Sequence, residues 1–241
     1  MNAQNMNKEM KASAIAYEYL KEQILNGTLQ IGSKLPPERD IATQLNISRN
    51  PVREALRTLE MMGFIEAIHG SGNYICCNIQ GYMKEAFSMK MALEDTKYMD
   101  LFETRRALEL SSLRPAMERK TAEDVEELRK IFQQMEEAGS IAESARLDVR
   151  FHQILTQMSR NPVLIGETVV MSEITDLFIH NIRAAVLRDK RRAALLSKAH
   201  RDIFEAMEQG DLEKAVAAMN QHFDTIEEYV GKTEKDFRKN R

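Results

Sequence analysis

The chain has no tryptophan, only ten glycines, five prolines and two cysteines, and aromatic residues make up 6% of its 241 positions. So little glycine and proline excludes collagen-like and low-complexity chains. A disulfide scaffold is excluded as well, because Cys76 and Cys77 are adjacent and cannot close an ordinary structural bridge with each other. The pair suits a reducing compartment and does not point to redox chemistry. Neither charge sign is in large excess: 34 lysines and arginines face 37 aspartates and glutamates, a net of −3. Bulk electrostatics therefore does not announce a nucleic-acid partner, and any such function has to come from local arrangement. No apolar run approaches the ~18 residues of a membrane span, and the polar start Met1 to Lys11 lacks the apolar run of a secretory signal. The expectation is a cytoplasmic protein with no membrane partner.

What is present is an ordinary globular composition, 43% hydrophobic and 29% charged, enough for one or two domains. Apolar residues three and four apart recur along most of the chain, which predicts a mainly α protein. The exception is Phe64 to Cys77, where two short apolar runs flank His69-Gly70-Ser71-Gly72 and read as a β-hairpin. Helices are predicted at Ala14 to Asn26, from Ser33 or Pro37 to Gln44, and at Ser48 to Met62. Residues 80–96 carry no strong period and read as a linker, within which Tyr82 to Leu93 is a possible short helix. Six further helices are predicted at Tyr98 to Arg119, Ala122 to Ala138, Ala142 to Ser159, Pro162 to Arg188, Arg191 to Gln209 and Leu212 to Lys232. Thr121 with Asp124 fits a capping box, Asn161-Pro162 a cap followed by a first-turn proline, and Gly210-Asp211 a stop followed by a cap. Pro115 predicts a kink. Residues 1–13 and 232–241 read as a flexible start and a charged tail.

Leu45-Asn46-Ile47 joins two of the predicted helices at helix-turn-helix spacing. Ser48 stands where a cap belongs. On the following helix Val52, Leu56 and Leu59 form an apolar stripe, while Arg49, Arg53 and Arg57 recur every four residues on another face. Such a row neutralises phosphates and offers bidentate contacts to guanine in the major groove; it is also what a merely solvated face looks like. Residues 1–79 hold eight basic and eight acidic residues, so one copy should bind DNA modestly and a homodimer is expected. Residues 14–77, within a predicted domain of residues 14–79, resemble the winged helix-turn-helix of the GntR family of bacterial transcription regulators. The match runs through Gly32-Ser-Lys-Leu-Pro-Pro-Glu-Arg, Ile41-Ala, Ile47-Ser-Arg-Asn-Pro-Val-Arg-Glu-Ala-Leu and Gly70-Ser-Gly-Asn-Tyr-Ile. The resemblance implies that Arg39, Ser48, Arg49 and Arg53 contact DNA, with His69 and Gly70 on the wing.

The second constellation is built on histidine. Asp148 and His152 lie four apart on one helix face and can reach a common ion. His200 falls in the stripe Leu196, Ile203, Met207, and His222 in the stripe Ala215, Met219, Ile226. One oxygen and three nitrogens converging inside a bundle suit zinc, manganese or nickel, and residue types alone do not choose among them. Each inward histidine could instead be a hydrogen-bonded core residue. His180 shares a polar face with Glu173, Asp176 and Arg183 and is left out of the set. Arg105 lies on the stripe Tyr98, Leu101, Leu108, where its guanidinium can pair with a carboxylate ligand or with Glu109. Asn181 is a further pocket candidate.

Residues 97–231 resemble the helical FCD ligand-binding domain of the FadR subfamily of GntR regulators. The match runs through Arg105-Arg-Ala-Leu-Glu109, Asp148-Val-Arg-Phe-His152, His200 and Met219-Asn-Gln-His222. The metal-dependent branch of that domain uses an Asp and three His, and all four positions are filled here. The resemblance thus implies an N-terminal winged helix-turn-helix plus a C-terminal all-helical antiparallel bundle. Its function would be a DNA-binding regulator, a repressor by the commoner family behaviour, whose operator affinity answers to a small carboxylate at a bound divalent transition metal. A metal-dependent enzyme acting on a small organic acid, and a metal that only braces the bundle, are the alternatives; no general base or nucleophile stands out beside the four ligands.

Overall fold

The computed structural model describes the backbone of residues 3–94, 96–188 and 190–239, and side chains for 10–94, 96–97, 99–175, 191 and 193–228. The chain forms two compact units, residues 1–86 and 87–241. Among the described residues no helix is long and apolar enough to cross a membrane.

The first unit comprises α1 (Ala3–Leu25), α2 (Glu38–Leu45), α3 (Arg49–Met61), β1 (Ile65–Ile68) and β2 (Gly72–Ile75). The tight turn between α2 and α3 depends on Asn46, which sits in the left-handed region at φ 53 and ψ 44, where a short polar side chain is tolerated. Its N–H closes α2 on the Ala42 and Thr43 carbonyls. Ser48 occupies the N-cap of α3 with extended backbone, but its hydroxyl makes no capping hydrogen bond. Pro51 follows in the first turn, where a missing N–H costs nothing. Val52, Leu56 and Leu59 are buried against Ala16, Leu20, Ile41, Ile65 and Ile75, the apolar stripe having found its core.

β1 and β2 pair antiparallel with Ile65 opposite Ile75 and Ile68 opposite Gly72, so the predicted hairpin is present and its two buried isoleucines point into the core. A third short segment joins it. Ile75 N–H donates to the Ser33 carbonyl at 3.0 Å, Leu35 N–H to Asn73 at 2.8 Å and Gly32 N–H to Ile75 at 2.8 Å. This edge was invisible to periodicity because it is too short to alternate.

α4 (Gln80–Leu93) spans the boundary between the units. Residues 80–93 are therefore helical, where the sequence reading favoured a linker; α4 has no buried residue among those described, and without a buried face no apolar period is required. The second unit continues with α5 (Tyr98–Arg119), α6 (Ala122–Glu137), α7 (Ile141–Met158), α8 (Pro162–Arg188), α9 (Lys190–Gln209) and α10 (Leu212–Lys239). α1 starts eleven residues before the predicted Ala14, and α10 runs beyond the predicted Lys232. Both extensions are rich in helix-forming residues, and lengthening an already nucleated helix is cheap. α5 runs through Pro115 as one helix.

Caps punctuate the bundle as expected. Thr121 and Asp124 form their reciprocal box, Asn161 Oδ1 accepts from the Val163 and Leu164 N–H groups, and Asp211 Oδ1 accepts from Lys214 N–H. The end of α5 also caps its neighbours: Arg119 Nη1 donates to the Ser159 carbonyl at 2.6 Å, and Lys120 Nζ donates to the Met207 carbonyl. Adjacent cations thus tie α5 to the C-terminal ends of α7 and α9. The core stacks Phe132 on Phe204 and sets Phe102 edge-on to Phe223, with Phe151, Met158, Ile203, Met207 and Met219 fully buried around them.

Candidate metal centre and nucleic-acid interface

In the second unit, α7 supplies Asp148 and His152, α9 His200 and α10 His222. All four are buried, and one ligand atom from each lies within 4.8 Å of the other three. The apolar stripes that bury α9 and α10 carry one histidine each, which is why both imidazoles turn inward. Their ring centroids are 4.6 Å apart, and that of His152 is 4.7 Å from His222.

The surrounding groups orient the rings. His200 Nδ1 lies 2.9 Å from the Leu196 carbonyl, which can only accept, so Nδ1 carries the proton and Nε2 is turned toward Asp148 Oδ1, also 2.9 Å away. His152 Nδ1 faces Glu109 Oε2 at 2.5 Å, which leaves Nε2 on the side of Asp148. Burial by itself would raise the Glu109 pKa. The Arg105 guanidinium and His152 outweigh that and hold it at about 2, so the carboxylate stays ionised. His222 has no such support. It is fully buried, neither ring nitrogen has a hydrogen-bond partner among the described residues, and burial, then His200 and His152, hold its pKa well below the usual histidine value. A buried, neutral imidazole whose nitrogens stay unpaired costs roughly 1–3 kcal/mol unless something takes its lone pair. Deprotonated nitrogens beside one carboxylate oxygen are the donor set of a divalent transition metal, and the cluster fits one.

Arg105 is buried as predicted. Of its two expected partners the structure pairs it with Glu109, Nε donating to Oε1 at 2.6 Å, while Nη2 stands 4.0 Å from Asp148 Oδ2. The guanidinium therefore abuts the cluster. The side chains of Asn181 and His180 lie outside the described residues. Sequence reasoning named Glu109 only as a partner for Arg105 and missed its contact with His152, which joins α5 to α7 and leaves no local spacing to read. A cavity of about 80 Å³ opens beside His200, lined by Phe132, Ser144, Leu196 and Ser197 among others. It has room for a few water-sized groups.

In the first unit Arg49, Arg53 and Arg57 are exposed on one face of α3, with side chains 61%, 45% and 66% accessible. Ser48, with its hydroxyl not spent on capping, stands at the same end, and Arg39, exposed on α2, bonds Asp40. His69 and Gly70 form the exposed turn of the hairpin, Gly70 at φ 73. The arginine row is not bare. Arg53 Nε and Nη2 donate to the two Glu38 oxygens at 3.1 and 2.9 Å, Arg49 Nη2 lies 3.7 Å from the same carboxylate, and Arg57 pairs with Glu54. The Glu38 contact bridges α2 and α3 across fifteen residues and was not foreseen.

A helix-turn-helix with a short β-wing and an arginine-bearing second helix, in a chain that also carries a helical unit with a buried polar cluster, defines a ligand-responsive DNA-binding regulator. Comparison with known proteins agrees. Residues 12–75 match the family "Bacterial regulatory proteins, gntR family" and residues 100–225 match the FCD domain. The chain belongs to the GntR family, in the group that carries an FCD domain. It is similar to the HTH-type transcriptional regulator LutR of Bacillus subtilis, 28% identical over 214 residues that cover 86% of this chain and 95% of that one. It is also similar to the Glc operon transcriptional activator of Escherichia coli, 26% identical over 221 residues, 88% and 86% of the two chains. Among solved structures a Streptococcus agalactiae GntR protein superposes with a TM-score of 0.65 at 26% identity, covering 89% of this chain and 98% of that one. The protein is thus a DNA-binding transcription regulator with a C-terminal effector-binding domain.

Proposed function

We propose that this regulator binds an operator as a homodimer through Arg39, Ser48, Arg49, Arg53, Arg57 and the His69-Gly70 wing. Its operator affinity is set by a small carboxylate effector at a divalent transition metal held by Asp148, His152, His200 and His222. The observation that carries the reading is His222, whose two ring nitrogens are buried amid the other three ligands with no hydrogen-bond partner among the described residues. A bound ion would supply Lewis-acid binding of a carboxylate oxygen. The chain's own groups do the rest: Glu109 and the Leu196 carbonyl hold His152 and His200 in ligating orientation, and Arg105 offers a charge-assisted contact beside Asp148. The small volume of the cavity beside His200 favours a small ligand. Among the described residues the Glu109 carboxylate behind the cluster is already engaged by both Arg105 and His152, which argues against its serving as the base of an enzymatic reading. Repression relieved by the effector is the direction we assign.

The test is metal content of the purified protein by mass spectrometry, followed by thermal unfolding with a panel of small carboxylates, with and without chelator. The expected result is a near-stoichiometric ion, lost in His222→Ala, and a stabilising shift by one acid that chelation abolishes. Metal without any acid shift would leave a bracing ion only, and no metal would return the histidines to the core.

A further inference from the structure

Arg49 and Arg53 of α3 share one carboxylate to which the sequence reading gave no role. Glu38, at the start of α2, is half-buried, its side chain only 24% accessible, and receives Arg53 side-on through Nε and Nη2. In this bidentate arrangement the Nε hydrogen and one Nη2 hydrogen are spent on Glu38. Both Nη1 hydrogens and the second Nη2 hydrogen remain, and the parallel pair across the Nη1–Nη2 end is the fork that matches guanine N7 and O6. A lone arginine can present either its side or its end, and can swing to any phosphate in reach. Arg53 cannot do so without breaking two charge-assisted bonds.

We infer that Glu38 is a positioning residue that holds Arg53 for end-on recognition of a guanine, and thereby sets sequence discrimination at one base pair in each half-site. The inference rests on α3 being the recognition helix. Glu38 also places a negative charge on the DNA-facing side, close enough to Arg49 to share its Oε2, so it lowers non-specific attraction to phosphate. A carboxylate that weakens general binding while fixing one guanidinium trades affinity for specificity.

The test selects bound duplexes from a randomised double-stranded DNA pool with full-length wild type, Glu38→Gln, Arg53→Ala and the double variant, each first checked by circular dichroism for a wild-type helical spectrum and a cooperative melt well above the assay temperature. Wild type is expected to enrich a symmetric motif with a G·C pair that Arg53→Ala no longer selects. Glu38→Gln should lose preference at that same position, its ratio of specific to random-sequence binding falling roughly five-fold or more, while random-sequence binding stays level or rises. In the Arg53→Ala background the Glu38 change should add nothing at that position. A purely structural glutamate would weaken every sequence alike. The inference is overturned if Glu38→Gln keeps the wild-type motif and ratio, or if it alters a base pair other than the one Arg53 reads. If wild type itself enriches no motif, or if Arg49→Ala and Arg53→Ala both leave the motif intact, the recognition-helix reading fails and takes the inference with it. Should Glu38→Gln not fold, Glu38→Asp, which keeps the charge but shortens the reach, is expected to show the same position-specific loss.

Discussion

Two glutamates do most to decide what the functional residues of this protein can do. Glu109 lies behind His152, held ionised near 2 by Arg105 and His152 against the pull of its own burial. Replacing it with glutamine keeps the shape but removes the charge that fixes the imidazole proton on Nδ1. Glu109→Gln is expected to weaken metal binding about ten- to hundred-fold, measured by competition with a chelator of known affinity, and unchanged affinity would leave Glu109 serving Arg105 alone. Glu38 offers a pH test. Its hydrogen bonds from Arg53 lower its pKa below the ordinary 4.5. A carboxylate lowered on folding contributes stability above its unfolded value, and that contribution is lost as pH falls through the folded value. From about pH 5 downward, the urea midpoint of the N-terminal unit should therefore fall more steeply in wild type than in Glu38→Gln. Parallel profiles would mean that the pair does not contribute to stability.

At the scale of elements, the wing depends on how α3 ends. Gly63, just past the Met62 cap of α3, has φ +82, and a Cβ there would collide with the Asn78 carbonyl oxygen, while Asn78 N–H donates to the Gly63 carbonyl at 2.8 Å. Two backbones meet there with no room for a side chain. Gly63→Ala is expected to destabilise the unit by about 1–3 kcal/mol, read from urea denaturation, and a neutral result would show that the chain leaving β2 can shift aside. The bundle is joined in a similar manner at one end, where Arg119 and Lys120 finish α5 by capping the carbonyl ends of α7 and α9. These links hold the helices that carry Asp148, His152 and His200 without belonging to the site itself.

For the whole molecule the proposed function requires coupling between two sites. If a carboxylate weakens operator binding, operator DNA must weaken carboxylate binding by the same factor, typically ~1–3 kcal/mol. Calorimetric titration of the acid into metal-loaded protein, with and without a bound duplex, should give affinities that differ by the factor seen in the reverse titration. Equal affinities in both presences would mean that the ligand site does not regulate DNA binding.

Much of this was legible in the sequence because it is local. Helix period, the Thr121–Asp124 box, the Asn46 turn and the Arg49-Arg53-Arg57 row are each written within a few residues, and the stripes holding His200 and His222 predict inward histidines because burying an apolar stripe turns everything on it inward. α4, with no buried residue among those described, gave only a weak signal, so residues 80–96 read as a linker with a short helix at Tyr82 to Leu93 as the alternative, and the ends of α1 and α10 were missed. Contacts between distant segments were beyond reach for the same reason. The chain by itself determined which residues could ligate and which could meet DNA. Only the tertiary structure decided that Asp148, His152, His200 and His222 come within 4.8 Å of one another, that Glu109 backs His152, and that Glu38 holds Arg53. Side-chain chemistry and helical period are properties of short segments, whereas the approach of two helices is set by packing over the whole core.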